Sequence, residues 1–439
     1  MLYNSIIDLI GNTPLVKINP KVHGLKNIDL YAKLEMNNPF GSLKDRISWG
    51  IIKDDIETIV EKNQTIIESS SGNTAKALAV LASMHGVQFT TITDRIKVPE
   101  VKKILQVIGA TIEELPGTSE CPDFESANNP VAKIEQKMIQ NPGAYFHTEQ
   151  YTNKKNPQTH YESTGPEILS DLKTVDYFIA TLGTTGSSRG TAEYLKEHNT
   201  ETKIVGVLSS KNDFIPGIRN ENETFEVGLY DKNLYDHQEI IESPDALDSM
   251  RDLIQKSGIL AGPTSGASYL GALRYLQAED KKLTSNTRKS AVFVVCDRME
   301  WYVSYIEKRK PEWFGYSVKE HSIRDYSVPS DTTSIEITVE EAPQFIQKNQ
   351  PIIVDLRGAL GFRTGHIPNS INILDKDLTE MLDNGIPFAK NSEILFVCPS
   401  GELSKRFASF LSEKGRQAKS LQGGLLAWRQ AGETLDKGI

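Results

Sequence analysis

Short apolar runs alternate with amphipathic stretches along most of the chain. Strand-like runs fall at 66–67, 89–92, 177–180, 203–208 and 291–295, and helical spacing of apolar positions falls at 74–85, 98–108, 189–197 and 268–277. This alternation predicts an α/β fold with a parallel sheet and helices on both faces. The pattern fades after Trp313, and residues 315–333 are polar and aperiodic and contain Pro329, which reads as a linker. It then restarts with apolar strands at 351–356 (PIIVDL) and 394–397 (ILFV) and a helix at 404–413. The expected organisation is a large α/β domain over 1–314, a linker over 315–333, and a second α/β domain over 334–439.

Charge and composition narrow the function classes. Lys plus Arg is 49 and Asp plus Glu is 58, a net charge of −9, and no basic run exceeds Lys308-Arg309-Lys310. Such a chain is a poor nucleic-acid binder. No stretch reaches the roughly 18 consecutive apolar residues of a membrane span. The opening MLYNSIIDLIGNTP lacks the basic and apolar regions of a signal peptide, so a cytoplasmic location is expected. The three cysteines, Cys121, Cys296 and Cys398, are scattered and fit a reduced compartment. Cys121 reads as an exposed loop thiol, Cys296 as a buried, inert one. No His/Cys/Asp cluster has metal-ligand spacing.

Two constellations carry chemistry. The first centres on Lys44 in NNPFGSLKDR, after a Pro-Phe-Gly-Ser turn. The runs SSSGNT (69–74), GTTGS (183–187) and GPTSGA (262–267) are small, Gly- and hydroxyl-rich, and lie between strands and helices. Such loops expose N–H groups at a helix N-terminus, suited to a phosphate or a carboxylate. Singly, each is more often a tight turn, and a lone lysine is more often a solvated surface group. A lysine combined with a phosphate cradle and a carboxylate cradle suits pyridoxal phosphate.

IGNTPLV (10–16), KLEMNNPFGSLKDR (33–46), SSSGNT, QYTNKKNPQTHYESTGPEI (150–168) and LGTTGS (182–187), in this order, resemble the cysteine synthase/cystathionine β-synthase family. These are fold-type II pyridoxal-phosphate enzymes with a tryptophan-synthase-β-like fold of two parallel-sheet subdomains. The resemblance implies Lys44 as the Schiff-base lysine and Asn73 near the pyridoxal hydroxyl. It places Ser70, Ser71, Gly72 and Thr74 on the substrate carboxylate and Gln150 in the substrate pocket. It puts Gly183, Thr184, Thr185, Gly186 and Ser187 on the cofactor phosphate. FIPGIRN (214–220), Gly228-Leu229-Tyr230-Asp231 and the LGTTGS loop look like the O-phosphoserine-dependent members, which implies Arg219 as the receptor of the substrate phosphate. A guanidinium fork suits that dianion. Cys296-Asp297-Arg298 departs from the family's usual segment. Arg298 then either faces the pyridine nitrogen as a cofactor contact or pairs with Asp297. His147, His160 and His366 read as loop or packing residues.

The second constellation centres on Cys398, which directly follows ILFV and opens CPSGELS. A thiol cupped by loop N–H groups at a helix N-terminus is placed as a stabilised thiolate. With VDLR (354–357), GHIPNSINI (365–373) and LQGGLLAW (421–428), the segment resembles a single rhodanese domain. That implies Cys398 as persulfide carrier. Pro399 and Leu403 stand where thiosulfate-using rhodaneses commonly carry Arg, so a persulfide or another less charged sulfur donor fits better.

Together the resemblances imply β-replacement on an activated serine, O-phosphoserine foremost, through an aminoacrylate, with sulfur delivered by the rhodanese domain to form cysteine or a sulfur derivative. They also imply a homodimer through the first domain. Replacement by an amine or homocysteine, a cysteine desulfhydrase with the rhodanese capturing sulfide, and a non-catalytic rhodanese module stand as alternatives.

Overall fold

The computed structural model describes residues 2–93, 98–115, 129–211, 213–220, 223–224, 227–284, 288–315, 323, 326, 328–329 and 332–438, without the side chains of 383–384. Cys121 lies outside these residues. The chain forms two compact units, Met1–Lys310 and Pro311–Ile439.

The first unit holds two sheets. The larger runs Leu15–Lys17, Ile28–Leu34, Lys289–Val295, Tyr177–Thr181, Lys203–Ser209, His237–Ile241 in spatial order. All neighbours are parallel except the antiparallel pair at Leu15–Lys17. Its central strands alternate between two cores: Ile179, Val205, Val207, Ala291 and Phe293 face one, and Phe178, Ala180, Ile204, Val292 and Val294 the other. Burial on both faces is why these strands read as continuous apolar runs. The smaller sheet is all parallel, in the order Thr111–Glu114, Phe89–Thr93, Thr65–Glu68, Tyr145–His147.

Three expected boundaries shift. The run 262–267 is not a loop: helix Pro263–Asp280 begins inside it, with extended Gly262 as cap and Pro at the first turn. Its small residues serve close packing, since a Cβ on Gly266 would lie 2.1 Å from the Ala246 carbonyl oxygen. The helix expected at 189–197 extends over Gly186–His198. The segment expected as a linker contributes Ile323 and Tyr326 to the core of the second unit, where Tyr326 donates to Glu413 at 2.7 Å and packs edge-on against Phe410.

The second unit is a five-stranded parallel sheet, ordered Glu336–Ile337, Gln417–Leu421, Glu393–Val397, Ile352–Asp355, Ile371–Asn372. Helix Glu402–Glu413 packs Phe407, Ala408, Phe410 and Leu411 on one face. Trp428 and Leu425 cover the other.

Candidate active site

In the larger sheet, chain order reverses around Lys289–Val295, and parallel α/β sheets open a crevice at the carboxyl ends of strands beside such a point. A narrow cleft lies there. It is lined by Lys44, Asn73, Gly183, Thr184, Thr185 and Ser187, and also by Ser42, Thr181, Thr264, Cys296 and Asp297. Lys44 opens helix Lys44–Ile52 and is fixed to the sheet through Leu43 N–H, which donates to the Cys296 carbonyl at 2.9 Å. Burial pulls the Lys44 amine down to about 8, against the opposing pull of the Asp297 carboxylate. Its Nζ lies 3.5 Å from Thr184 Oγ1.

Strand Tyr177–Thr181 feeds the turn 182–185 and then helix Gly186–His198, so the first N–H groups of that helix face the cleft. Thr185 sits in the left-handed region at φ +62°, and its Oγ1 is buried without a hydrogen-bond partner. Gly186 is required sterically: a Cβ there would lie 1.9 Å from Asn156 Oδ1. Asn156 also donates to Thr184 Oγ1 at 3.1 Å and to the Gln150 carbonyl at 2.8 Å, tying this loop to the Gln150 segment.

The opposite wall is the start of helix Asn73–Met84. Ser70 Oγ accepts from Ala75 N–H at 3.2 Å and Gly72 N–H at 3.4 Å, Ser71 is exposed, and Gly72 is the cap residue. Thr74 Oγ1 donates to Gln150 Oε1 at 2.8 Å, and Gln150 Nε2 donates to the Ser69 carbonyl at 2.9 Å. Buried Glu68 locks this arrangement by accepting from Gln150 N–H at 3.1 Å, Ser69 N–H at 2.7 Å and the Thr148 hydroxyl. Asn73 Nδ2 donates to Asp297 Oδ2 at 2.7 Å and approaches Tyr302 Oη at 3.1 Å. Arg219 is held by its backbone, N–H to the Leu182 carbonyl at 2.8 Å. Its guanidinium lies 5.2 Å over the ring of Tyr151, next to Gln150, and 3.9 Å from Glu223.

Arg298 stands apart from both of its expected roles. It does not line the cleft, and its guanidinium donates to Glu300 at 2.7 and 3.0 Å. Asp297 instead turns inward. Strand Lys289–Val295 has ended, Asp297 bridges Ser42, and Arg298 bridges Ala261 outside the cleft. Burial pushes the Cys296 thiol up to about 12, so it is neutral. His160 is buried, 2.8 Å from Thr164 Oγ1, and is a packing residue.

In the second unit, Cys398 follows strand Glu393–Val397 and is buried. Its Sγ accepts from Gly401 N–H at 3.2 Å and Ser404 N–H at 3.4 Å, with Ser404 Oγ at 3.3 Å. Ser404 is itself 2.9 Å from Ser420 Oγ. A Cβ on Gly424 would lie 2.3 Å from the Cys398 carbonyl oxygen, which explains the glycine pair of LQGGLLAW: the loop is clamped by Leu425 N–H to that carbonyl at 2.9 Å. His366 stacks on Phe362 at 3.8 Å and is structural.

The profile of the family "Pyridoxal-phosphate dependent enzyme" matches residues 6–297, and that of the rhodanese-like domain matches 338–431. The chain belongs to the pyridoxal-phosphate-dependent enzyme family. It is 33% identical over 304 residues to cysteine synthase B of Pseudomonas aeruginosa, covering 69% of this chain and 96% of that protein. It is 32% identical over 314 residues to cystathionine beta-synthase of Saccharomyces cerevisiae, covering 66% of this chain and 60% of that one. Among solved structures it resembles a hydrogen sulfide-producing enzyme from Fusobacterium nucleatum, with a TM-score of 0.60, 33% identity, and coverage of 69% of this chain and 99% of that one. The chain is thus a cysteine-synthase-like, fold-type II pyridoxal-phosphate enzyme carrying a rhodanese-like domain.

The cleft of this pyridoxal-phosphate enzyme fits its cofactor chemically. Lys44 offers an amine for an aldehyde, and the 183–187 loop offers helix N-terminal N–H groups and the unpartnered Thr185 hydroxyl to a phosphate. Ser42, Thr181, Cys296 and Asp297 also line it without being marked as site residues by the sequence, and Thr264 comes from the 262–267 run. Two of them adjoin strand ends, Thr181 closing Tyr177–Thr181 and Cys296 following Lys289–Val295, and that position at a switch point is the signal that marks them. Among the described residues no helix is long and apolar enough to cross a membrane.

Proposed function

We propose that this enzyme replaces the β-substituent of an activated serine, O-phosphoserine, with sulfur that arrives on Cys398. The observation carrying this reading is that one chain holds both a Lys44 cleft of cysteine-synthase type and a buried thiol whose Sγ accepts loop N–H groups. Bound pyridoxal phosphate supplies an electron sink beside the substrate's Cα. The rest falls to the chain's residues. The 183–187 loop anchors the phosphate of the cofactor, and the N–H groups at 70–74 hold the substrate carboxylate, with Gln150 bracing that loop. Lys44 Nζ, lowered to about 8, has an appreciable neutral fraction near neutral pH and takes the Cα proton. Arg219, beside Tyr151, receives the phosphate that leaves Cβ.

On the second unit, Gly401 N–H and Ser404 N–H hold Cys398 Sγ in place as it takes sulfane sulfur from a donor as a persulfide, the donor leaving one sulfur shorter. Two equivalents of a small thiol reduce that persulfide, releasing sulfide, restoring the Cys398 thiol and leaving as their own disulfide. Sulfide then adds at Cβ. Carriage of both sites on one chain raises their effective concentration. The scattered cysteines agree with a reducing, cytoplasmic setting, and a homodimer through the first unit belongs to the same proposal.

Arg219→Ala tests the substrate. Loss of a charge-assisted contact lowers kcat/KM for O-phosphoserine by roughly 10- to 100-fold, with turnover of O-acetylserine nearly unchanged. Equal effects on both substrates refute the phosphate assignment. The likeness to a hydrogen sulfide-producing enzyme supports a second reading, in which cysteine is degraded and Cys398 captures the sulfide. Sulfide release from cysteine alone, without an activated serine, decides for it.

A further inference from the structure

Behind the cleft lies a buried group that the proposed reaction does not use. Lys76 sits one turn after Asn73 on helix Asn73–Met84, on the same side of the helix. It is only 5% exposed, its Nζ has no hydrogen-bond partner, and it lies 3.9 Å over the ring of Trp301. An aromatic face stabilises a desolvated cation but does not neutralise it. Two carboxylates face it electrostatically: Asp45 from helix Lys44–Ile52 and Asp297 from the segment after strand Lys289–Val295. Both are buried. Asp45 is satisfied by Phe40 N–H at 2.6 Å and the Ser42 hydroxyl at 3.1 Å. Asp297 receives Asn73 Nδ2 and the Tyr302 hydroxyl on Oδ2, and its Oδ1 is unpartnered.

We propose that Lys76 is a positioning residue of the cofactor site, the fixed countercharge that keeps Asp297 a carboxylate and so aims the Asn73 amide.

The argument is one of charge balance. Burying a carboxylate without a cation drives it to take up a proton. Among the described residues, the ionisable groups that act on or feel Asp297 are Lys44, Lys76, Cys296 and Tyr302. Cys296 and Tyr302 are neutral, because burial raises both. Lys44 cannot be a permanent cation, since its amine is the group that meets the cofactor's aldehyde and then handles a proton. Burial lowers the Lys76 amine too, but the Asp45 and Asp297 carboxylates pull it back up, and it makes no bond to the cofactor, so it is the remaining cation of this set. The balance is already fine: burial pushes Asp297 up to about 6 and Asp45 up to about 7 with Lys76 in place. Without Lys76, Asp297 becomes a neutral acid at neutral pH, and its bond from Asn73 Nδ2 loses its charge-assisted character. The Asn73 amide then no longer has one preferred orientation at the cleft wall.

The inference rests on assigning this cleft to the cofactor, and the test separates the two. The absorption band of the bound cofactor is titrated in the holoenzyme from acid to mildly alkaline pH. Wild type is expected to show a step near or above pH 6, since Lys44 is engaged with the cofactor, and the step disappears in Asp297→Asn. In Lys76→Met, which keeps the side chain's length and apolar packing, the step moves up by about one pH unit or more. Lys76→Arg, which keeps the charge, restores the wild-type profile. A folded Lys76→Met with an unmoved step overturns the proposal, as does a step that survives Asp297→Asn. The latter comparison holds even if Lys76→Met does not fold. Lys44→Ala runs in parallel: a cofactor band indifferent to loss of Lys44 refutes the assignment of the cleft, whereas a Lys44-dependent band with an unmoved step refutes the role of Lys76 alone.

Discussion

Buried ionisable side chains around the cleft make its stability depend on pH in opposite directions. Burial lowers His160 to about 3, so the folded chain holds it neutral while the unfolded chain protonates it near 6.5. The unfolded state therefore binds more protons in that window, and stability is full above about 6.5 and falls as pH drops toward 3. Glu35 adds to this at lower pH. Burial alone would raise it, but the Arg46 guanidinium, 2.6 Å away, outweighs burial and holds it at about 2, so its contribution is lost between about 4.5 and 2. Asp45 and Asp297, both raised, work the other way and relax as pH falls. His160→Gln removes the largest of these acid-sensitive shifts. In denaturant titrations its loss of stability between pH 7 and 5 should be smaller than wild type's by roughly 2 kcal/mol. An unchanged difference contradicts the neutral, buried His160. The contrast between motif and environment also explains what the sequence disclosed at this scale. Lys44, Asn73 and the 183–187 loop carry recognisable neighbours in the chain. Asp297 and Arg298 are adjacent, and only the end of strand Lys289–Val295 decides that the first turns inward and the second pairs with Glu300.

At the scale of elements, the phosphate loop is set by one helix-helix contact. Helices Lys155–Glu162 and Gly186–His198 approach so closely that a Cβ on Gly190 would lie 1.9 Å from the Pro157 carbonyl oxygen. Backbone cannot yield as a flexible side chain can, so Gly190→Ala must separate the helices. It should cost about 1–3 kcal/mol, seen as a lower melting temperature, and weaken cofactor binding by displacing the N-terminus that faces the phosphate. An unchanged melting temperature and cofactor affinity would contradict the contact. This packing is also why the apolar periodicity of the sequence starts this helix only at 189. Gly and Ser have poor helix propensity, and the first turn forms because a neighbouring helix accepts its small residues. The strongly apolar strands at 177–181 and 289–295, buried on both faces, were legible; the polar edge strand His237–Ile241, half exposed, was not.

At the scale of the whole molecule, each unit has its own core and its own chemistry: Lys44 in Met1–Lys310, Cys398 in Pro311–Ile439. The division was visible as a break in hydrophobic periodicity. The exact start of the second core was not, because Ile323 and Tyr326 are isolated apolar residues in a polar stretch and gain meaning only against Phe410 and Glu413. The central claim is that sulfur reaches Cβ of the serine through Cys398. Cys398→Ser tests it in paired assays of product formation from O-phosphoserine, one supplied with sulfide and one with a sulfane-sulfur donor and a small thiol. The account predicts full turnover with sulfide and loss of donor-dependent turnover. Equal loss in both assays, or no loss in either, contradicts it.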